Sequence, residues 1–446
     1  MTGTATVIQA NAHQLPIPDN TVDLVVTSPP YFALRSYQDG GEHYAGQIGD
    51  EPTPSEFVAS LLDVTRECVR VLKPSGSLWV NLGDKYVADN RGSGMDAKRG
   101  DAKHAPRGPL GYITGGMRQK SLMGIPWRYA LACIDDLGLI LRAEVIWSKP
   151  NGLPESVTDR VRRSHEQWFH FTLNPRYFSA VDEIREGYAP GTAARYASGY
   201  KPEKRLLAGY VSTARDRSLL DGDTGPGETN PLGKLPGSVW TVPTEPLRVP
   251  DHLGVDHFAA FPTEWPKRII QGWSPAGVCV ACGEGRRPVT VSERTSGEAL
   301  RPEYGAGNHG KGGSTLGPRG VVATITGYAC ACPEPMIEQE VTEFDYDTEQ
   351  TVTRTVEVPD PSWINPAPIT PGVVLDPFGG TGTTAMVAKA LGRHGISVDL
   401  SHDYCRLAEW RTNDRNQLAK VLGIAKTEQQ PDTQGDLFDL LGGEPA

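Results

Sequence analysis

The stretch Val373-Val374-Leu375-Asp376-Pro377-Phe378-Gly379-Gly380-Thr381-Gly382-Thr383-Thr384 decides how the rest of the chain reads. An apolar, β-branched run stops at an acid, a glycine-rich turn follows, and the Ala- and Val-rich residues 385–391 have helical spacing. That is strand, loop, helix. Gly379, Gly380 and Gly382 permit positive φ and let a ligand approach the main chain with no Cβ in the way, so the loop reads as a cofactor cradle. The competing reading is a tight strand-to-helix connection. The next segment, Gly395-Ile396-Ser397-Val398-Asp399, reads as a strand ending in a carboxylate, where doubly wound folds place an acid on ribose hydroxyls. No Gly-Lys-Ser/Thr occurs in the chain, which argues against a phosphate-gripping loop.

The 446 residues suffice for one large domain with insertions, or for two to three units. With a formal net charge of -10, any nucleic-acid contact must come from local basic patches and not from the overall field. No apolar run reaches membrane-spanning length, and Met1-Thr2-Gly3-Thr4 lacks the basic and apolar regions of a secretory signal. A cytoplasmic location with no membrane partner is therefore expected. Seven unevenly spread cysteines do not resemble a secreted disulfide framework, and 50 glycines with 37 prolines predict long loops.

Toward the N-terminus, residues 6–9 and 22–26 read as strands, and the second stops at Thr27-Ser28-Pro29-Pro30-Tyr31. Two consecutive prolines lock φ, remove two amide donors and leave the carbonyls of Ser28 and Pro29 as rigid outward acceptors, with the Tyr31 ring beside them. Acceptors for amino hydrogens and a stacking surface are what a flat, amine-bearing ring requires. The plainer reading is a Pro-Pro strand terminator next to a core tyrosine.

Ser-Pro-Pro-Tyr after one strand and Asp-Pro-Phe-Gly-Gly-Thr-Gly-Thr-Thr after another resemble the amino-methyltransferases of DNA, the N4-cytosine and N6-adenine family. The order, catalytic motif first and cofactor motif last, is similar to the circularly permuted beta group, a rearrangement tolerable because domain termini often lie close together. The resemblance implies an α/β fold with a doubly wound, mostly parallel sheet of the S-adenosylmethionine-dependent methyltransferase type, circularly permuted. It implies Ser28, Pro29, Pro30 and Tyr31 as the catalytic segment, and Asp376, Phe378, Gly379, Gly380, Thr381, Gly382 and Asp399 around S-adenosylmethionine. The glycines would pass its amino-acid part, Asp399 would hold the ribose, and Phe378 would wall the adenine or methyl group. Ser28 and the Pro29 carbonyl would accept the amino hydrogens of a base flipped out of double-stranded DNA, with Tyr31 stacked on it. Ser in place of Asp at position 28 inclines toward cytosine N4, because family members with Asp-Pro-Pro-Tyr are mostly adenine enzymes.

Further segments fit the same pattern. Residues 55–72 form an expected helix with Phe57, Val58, Leu61, Leu62, Val64 and Val69 at apolar positions, and residues 77–82 a strand leading to Asp84, either an active-site acid or a turn cap. A helix over 125–136 precedes a strand over 139–147 that enters Ser148-Lys149-Pro150-Asn151, similar to the family's Trp-x-Lys-Pro segment beside the target base. Arg160, Arg162, Arg163 and His165, next to Trp168 and Phe169, read as a DNA-facing surface. His165-Glu166 reads as structural, since no second histidine stands four residues on. Residues 91–120 carry Arg91, Lys98, Arg99, Lys103, Arg107, Arg118 and Lys120 in a loop suited to phosphate contact or simply solvated. Residues 188–230, rich in Gly, Pro, Arg and Tyr, read as a target-recognition insertion or a linker. Residues 257–262 resemble the family segment beside the methionine end of the cofactor.

The resemblance breaks after Ser274-Pro275 and resumes at Gly372, so residues 278–368 read as an insertion. Its Cys279, Cys282, Cys330 and Cys332 are expected to hold a structural zinc in a small ribbon-like unit, the alternative being spare thiols or disulfides. Cys68, Cys133 and Cys405 fall in helical segments as core residues. The expected division is a catalytic half over 1–180, target recognition over 181–235, a return to the main domain over 236–277, the cysteine-containing insertion over 278–368, the cofactor half over 369–425 and an acidic tail over 426–446. The function expected is site-specific DNA methylation. Its rivals are an adenine-N6 enzyme, a methylase of RNA or of a protein amide, and a non-catalytic DNA-binding protein of the same fold. A nicotinamide dehydrogenase would leave Ser28 to Tyr31 without a role. The sequence leaves open a partner restriction endonuclease and the oligomeric state.

Overall fold

Every residue of the strand Val22–Thr27 is buried, as a strand covered on both faces must be. The computed structural model describes residues 3–33, 38–39, 42–43, 47–87, 117–152, 154–188, 230–247, 249–250, 253–255, 261–295, 320–330, 332, 336–345, 350–359 and 368–424. Its strands are Thr4–Gln9 (β1), Val22–Thr27 (β2), Gln38–Asp39 (β3), Glu42–His43 (β4), Leu72–Leu82 (β5), Ile140–Ser148 (β6), His165–Thr172 (β7) and Val239–Thr241 (β8). Then come Val278–Cys279 (β9), Arg287–Thr295 (β10), Gly320–Ala329 (β11), Met336–Asp345 (β12), Gln350–Pro359 (β13), Ile369–Thr370 (β14), Val373–Asp376 (β15) and His394–Asp399 (β16). The helices are Pro54–Val71 (α1), Ile125–Asp135 (α2), Glu264–Trp273 (α3), Thr383–Ala390 (α4), His402–Asn413 (α5) and Arg415–Val421 (α6).

Eight strands form one sheet in the order β1-β16-β15-β2-β5-β7-β6-β8. The first five are mutually parallel; β7 runs antiparallel to both β5 and β6, and β8 is parallel to β6. Strands from the C-terminal end of the chain thus lie inside the sheet, between β1 and β2. From β15 the path moves one way through β16 to β1, while from β2 it moves the other way to β5. The point where these directions part, at the carboxyl ends of β15 and β2, is where open α/β sheets keep their ligand crevice.

Helices cover both faces. On one, Val22 and Val25 of β2 pack with Phe57 and Leu61 of α1 and with Ile125 and Tyr129 of α2. On the other, Leu24 and Val26 pack with Trp265 and Ile269 of α3 and with Met386 and Val387 of α4. Trp265 is the centre of an aromatic stack, with Trp240 at 4.9 Å and Trp168 at 5.1 Å between ring centroids. This corrects one expectation. Trp168 and Phe169, read as part of a DNA-facing surface, are fully buried, because β7 lies between β5 and β6 in a sheet covered on both sides and so turns both alternating faces inward.

The pairing of β15 with β2 is short, with Cα partners only at Val374↔Leu24 and Leu375↔Val25. Two carboxylates extend it. At its start, Asp23 accepts the Val373 amide at 2.8 Å and pairs with Lys73 at 2.7 Å; burial pushes the Asp23 carboxyl above the usual range in spite of Lys73. At its end stands Asp376, described below. In the 278–368 segment, β9 pairs with β14, which directly follows the segment, and β10–β11 and β12–β13 form separate two-stranded ribbons. The expectations placed on residues 88–116, 189–229, 256–260 and 425–446 lie outside the described residues.

Candidate active site

The two motif loops leave neighbouring strand ends and are tied to each other by Asp376. Its Oδ1 accepts the Thr27 hydroxyl at 2.6 Å and the Phe378 amide at 3.1 Å, and its Oδ2 accepts the Thr384 hydroxyl at 2.9 Å. Thr384 also reaches the Val26 carbonyl at 3.2 Å. Thr27 is the residue before Ser28, so one buried carboxylate joins the end of the cofactor-motif strand to the start of the Ser-Pro-Pro-Tyr loop. Desolvation raises the Asp376 pKa to about 6, only partly offset by the donated hydrogen bonds. Pro29 and Phe378 line one small cavity with Thr27, Pro377 and the α1 residues Leu61, Val64 and Thr65.

The three loop glycines divide by role. A Cβ on Gly379 would lie 1.9 Å from Ser397 Oγ, and one on Gly382, at φ +71°, 2.8 Å from Ala408 Cβ. Both positions are dictated by packing against β16 and α5. At Gly380, with φ +48°, the nearest atom to a Cβ is the Phe378 carbonyl oxygen at 3.9 Å, so this residue faces open space. Its amide donates to Asp399 Oδ2 at 2.8 Å, and Asp399 Oδ1 accepts the Ser401 amide at 2.9 Å. The loop and the acid expected to hold a ribose are therefore side by side.

On the other side of the crevice, the Tyr31 ring lies against Gly83, where a Cβ would come within 2.5 Å of it. The Tyr31 hydroxyl stands 2.8 Å from both Asn81 Oδ1 and Glu166 Oε2. Ser28 Oγ donates to the same Asn81 oxygen at 3.2 Å, while Asn81 Nδ2 donates to the Gln167 carbonyl at 3.1 Å. That last bond sets which end of the amide faces the loop. Lys149 pairs with Glu166 and lies over the Trp147 ring, 4.1 Å from its centroid. Ser28, Tyr31, Asn81, Lys149 and Glu166 thus form one connected group, drawn from the Ser-Pro-Pro-Tyr loop, from β5 and β7, and from the residue that follows β6.

Of this group Ser28, Tyr31 and Lys149 are expected from the sequence; Glu166, expected as structural, and Asn81, which carries no expectation, join them. A polar residue inside the apolar run Leu78-Trp79-Val80-Asn81-Leu82 was the available signal for Asn81, since a buried amide needs partners. Asp84 serves as a cap, accepting the Gly124 and Ile125 amides at 3.0 and 3.2 Å at the start of α2. Arg163 stands 3.6 Å from it.

Away from the crevice, the Sγ atoms of Cys279, Cys282, Cys330 and Cys332 all lie within 4.8 Å of one another, with Cys279 and Cys332 at 3.6 Å. All four are free thiols. The Cys282 amide pointing at its sulfur, with help from Cys330 and Cys332, pulls the Cys279 pKa down to about 6.

Taken together, a doubly wound sheet, a glycine-rich loop with an acid beside it and a polar Pro-Pro-Tyr loop across the switch point define a cofactor-binding α/β enzyme fold. A family model described as DNA methylase matches residues 22–281 and 363–410, and the chain belongs to this N6/N4 methylase family. Over 204 residues it is 40% identical to the Type II methyltransferase M.XycI of Xanthomonas campestris pv. cyanopsidis, which covers 46% of this chain and 65% of that protein. Over 289 residues it is 33% identical to the Type II methyltransferase M.SmaI of Serratia marcescens, covering 65% and 74% respectively. The chain therefore spans just under two thirds of the first relative's length. Among solved structures it aligns with the PvuII DNA methyltransferase (cytosine-N4-specific) at a TM-score of 0.47 and 15% identity, over 95% of this chain and 91% of that one.

Proposed function

We propose that this protein methylates DNA, moving a methyl group from S-adenosylmethionine to the exocyclic amine of a flipped base, with cytosine N4 as the preferred target. The observation that carries the reading is the Thr27–Asp376 hydrogen bond, which brings the base-side and cofactor-side loops to one crevice. Membership of the family and relatives that bear the name Type II methyltransferase support it, and the latter favour a modification role alongside a nuclease of matching recognition sequence. In this reading the chain order is a circular permutation, residues 181–235 read the target sequence, and residues 278–368 are an insertion.

The residues present suit the cofactor. The open side of Gly380 leaves room at the loop, and Asp399 offers a carboxylate at the end of β16 for ribose hydroxyls. When bound, S-adenosylmethionine supplies an electrophilic methyl group on a sulfonium that departs as a thioether. The chain's own contribution is to position and stabilise. The amine is unreachable for in-line attack within the duplex, so the base must leave the stack. Ser28 gives its proton to Asn81, which leaves the Ser28 oxygen lone pairs and the Pro29 carbonyl to accept the two amino hydrogens and to turn the nitrogen lone pair toward the methyl group. Once the new N–C bond exists, the nitrogen is cationic and its extra proton is acidic enough to pass to solvent water, so no strong base is needed. A hydroxyl in place of a carboxylate at position 28 supports cytosine over adenine.

The four thiols suit a structural zinc. Sulfurs about 2.3 Å from one tetrahedral ion stand about 3.8 Å apart, close to the 3.6 Å between Cys279 and Cys332 and far from the length of a disulfide. The test of the main reading is direct. Duplex DNA incubated with the protein and methyl-labelled S-adenosylmethionine is digested to nucleosides, and label in N4-methylcytosine is expected. Label in N6-methyladenine would reverse the base preference, and no label in any nucleoside would end the reading.

A further inference from the structure

Arg411, on α5, is 3% exposed, and among the described residues no carboxylate lies within ion-pairing distance of it. Its Nε has no hydrogen-bond partner. Its Nη1 donates to Thr381 Oγ1 at 2.7 Å and to Thr383 Oγ1 at 2.5 Å. Burial draws the guanidinium pKa down to about 10, with Glu245 pulling the other way, so it remains charged at neutral pH. Keeping a cation in this position without an anion is costly.

The two threonine hydroxyls beside Arg411 have room for an anion. Arginine can only donate, so both threonine oxygens accept from it. One hydroxyl proton spans the 3.1 Å between Thr381 and Thr383. Two hydroxyls carry two protons, and the second has no acceptor among the described residues. Both threonines flank Gly382, directly after the open position at Gly380, and Thr383 begins α4, whose amino end adds positive potential. The end of the loop is thus a hydroxyl donor backed by an unneutralised cation, a setting that favours a monoanion over a neutral or cationic group.

We propose that Arg411 is a positioning residue which, through the Thr381 and Thr383 hydroxyls, holds the carboxylate at the methionine end of the cofactor. This rests on the S-adenosylmethionine reading above. It separates Arg411 from a plain strut, because a strut would support any ligand of the loop equally.

The experiment is calorimetric binding to the full chain, at near-physiological salt, of S-adenosylmethionine and of decarboxylated S-adenosylmethionine, which differ only by the carboxylate. The net charge of -10 favours the decarboxylated and more cationic ligand, so a preference for the carboxylate must arise locally. Wild type is expected to prefer S-adenosylmethionine by roughly tenfold or more, the range of a charge-assisted hydrogen bond. Arg411→Met is expected to bring the two affinities within about twofold of each other by weakening S-adenosylmethionine alone. Thr381→Val and Thr383→Val, which keep shape and charge, are expected to lose part of the preference and serve if the arginine variant does not fold. Equal discrimination in wild type and the threonine variants would overturn the inference while leaving the methyl-donor reading intact. No binding of either ligand to wild type would overturn both.

Discussion

Asp376 is the residue on which the crevice turns, and its titration is measurable. An acid whose native pKa of about 6 exceeds its ordinary value of 3.8 keeps its proton in the folded state after the unfolded chain has lost it. Stability attributable to this group is therefore complete below about pH 4, falls as pH rises to about 6, and is level above, a change of about 3 kcal/mol at most. Asp376→Asn lacks the titration. The melting temperature of the variant minus that of wild type is expected to climb between pH 4 and 6 and then flatten; a difference independent of pH would contradict this account. Across the crevice, Tyr31→Phe keeps the ring on Gly83 and removes the hydroxyl that meets Asn81 and Glu166. A loss of roughly tenfold in the methyl-transfer rate, with cofactor affinity unchanged, is expected from one misplaced hydrogen-bonded group. A change in cofactor affinity instead would move Tyr31 to the other half of the site.

Among the elements, the two ribbons are the ones that need outside support. Two-stranded antiparallel ribbons are at best marginal alone, and several side chains of β12 and β13, such as Glu338, Glu340, Thr353 and Arg354, are exposed. The four thiols stand at their base, where Cys279 belongs to β9 and β9 pairs with β14 at Ile369↔Cys279 and Thr370↔Val278, three residues before β15 begins. A metal there would fasten the ribbons to the segment that enters the cofactor-motif strand. Metal analysis of the purified chain is expected to find about one zinc per chain, and Cys282→Ser, at an exposed position, to lower it. The same variant is expected to be cleaved faster by protease within residues 282–362, with little change in the melting of the main sheet. Full metal content in Cys282→Ser would remove that cysteine from the ligand set.

For the whole molecule, the relevant quantity is where its charge sits. A net charge of -10 repels a polyanion, so on the proposed function any binding to duplex DNA must rest on a few basic side chains that displace counterions, and it must weaken with salt. Replacing Lys98, Arg99 and Lys103 together by Gln is expected to lower DNA affinity at least tenfold and to flatten the salt dependence by about three counterions, with cofactor binding unaffected. An unchanged salt slope would place the phosphate contacts elsewhere.

Six of the eight sheet strands, the helices over 54–71 and 125–135 and both motif loops were legible in the sequence because each depends on local pattern, whereas β7 and β8 carried no strand expectation. The apolar run Val22 to Val26, the breaker at Pro29-Pro30 and the glycines at 379–382 all act within a few residues of themselves. Only the tertiary structure decided which side chains meet. Thr27 and Asp376 are 349 positions apart, Tyr31 and Glu166 come together because β7 returns beside β5, and Arg411 finds Thr381 because α5 packs on the loop. Strand order sets all three, and no periodicity in the chain encodes it. For the same reason Trp168 and Phe169, which beside four basic residues look like surface, are core: a strand's neighbours, and not its own composition, determine whether both of its faces are covered.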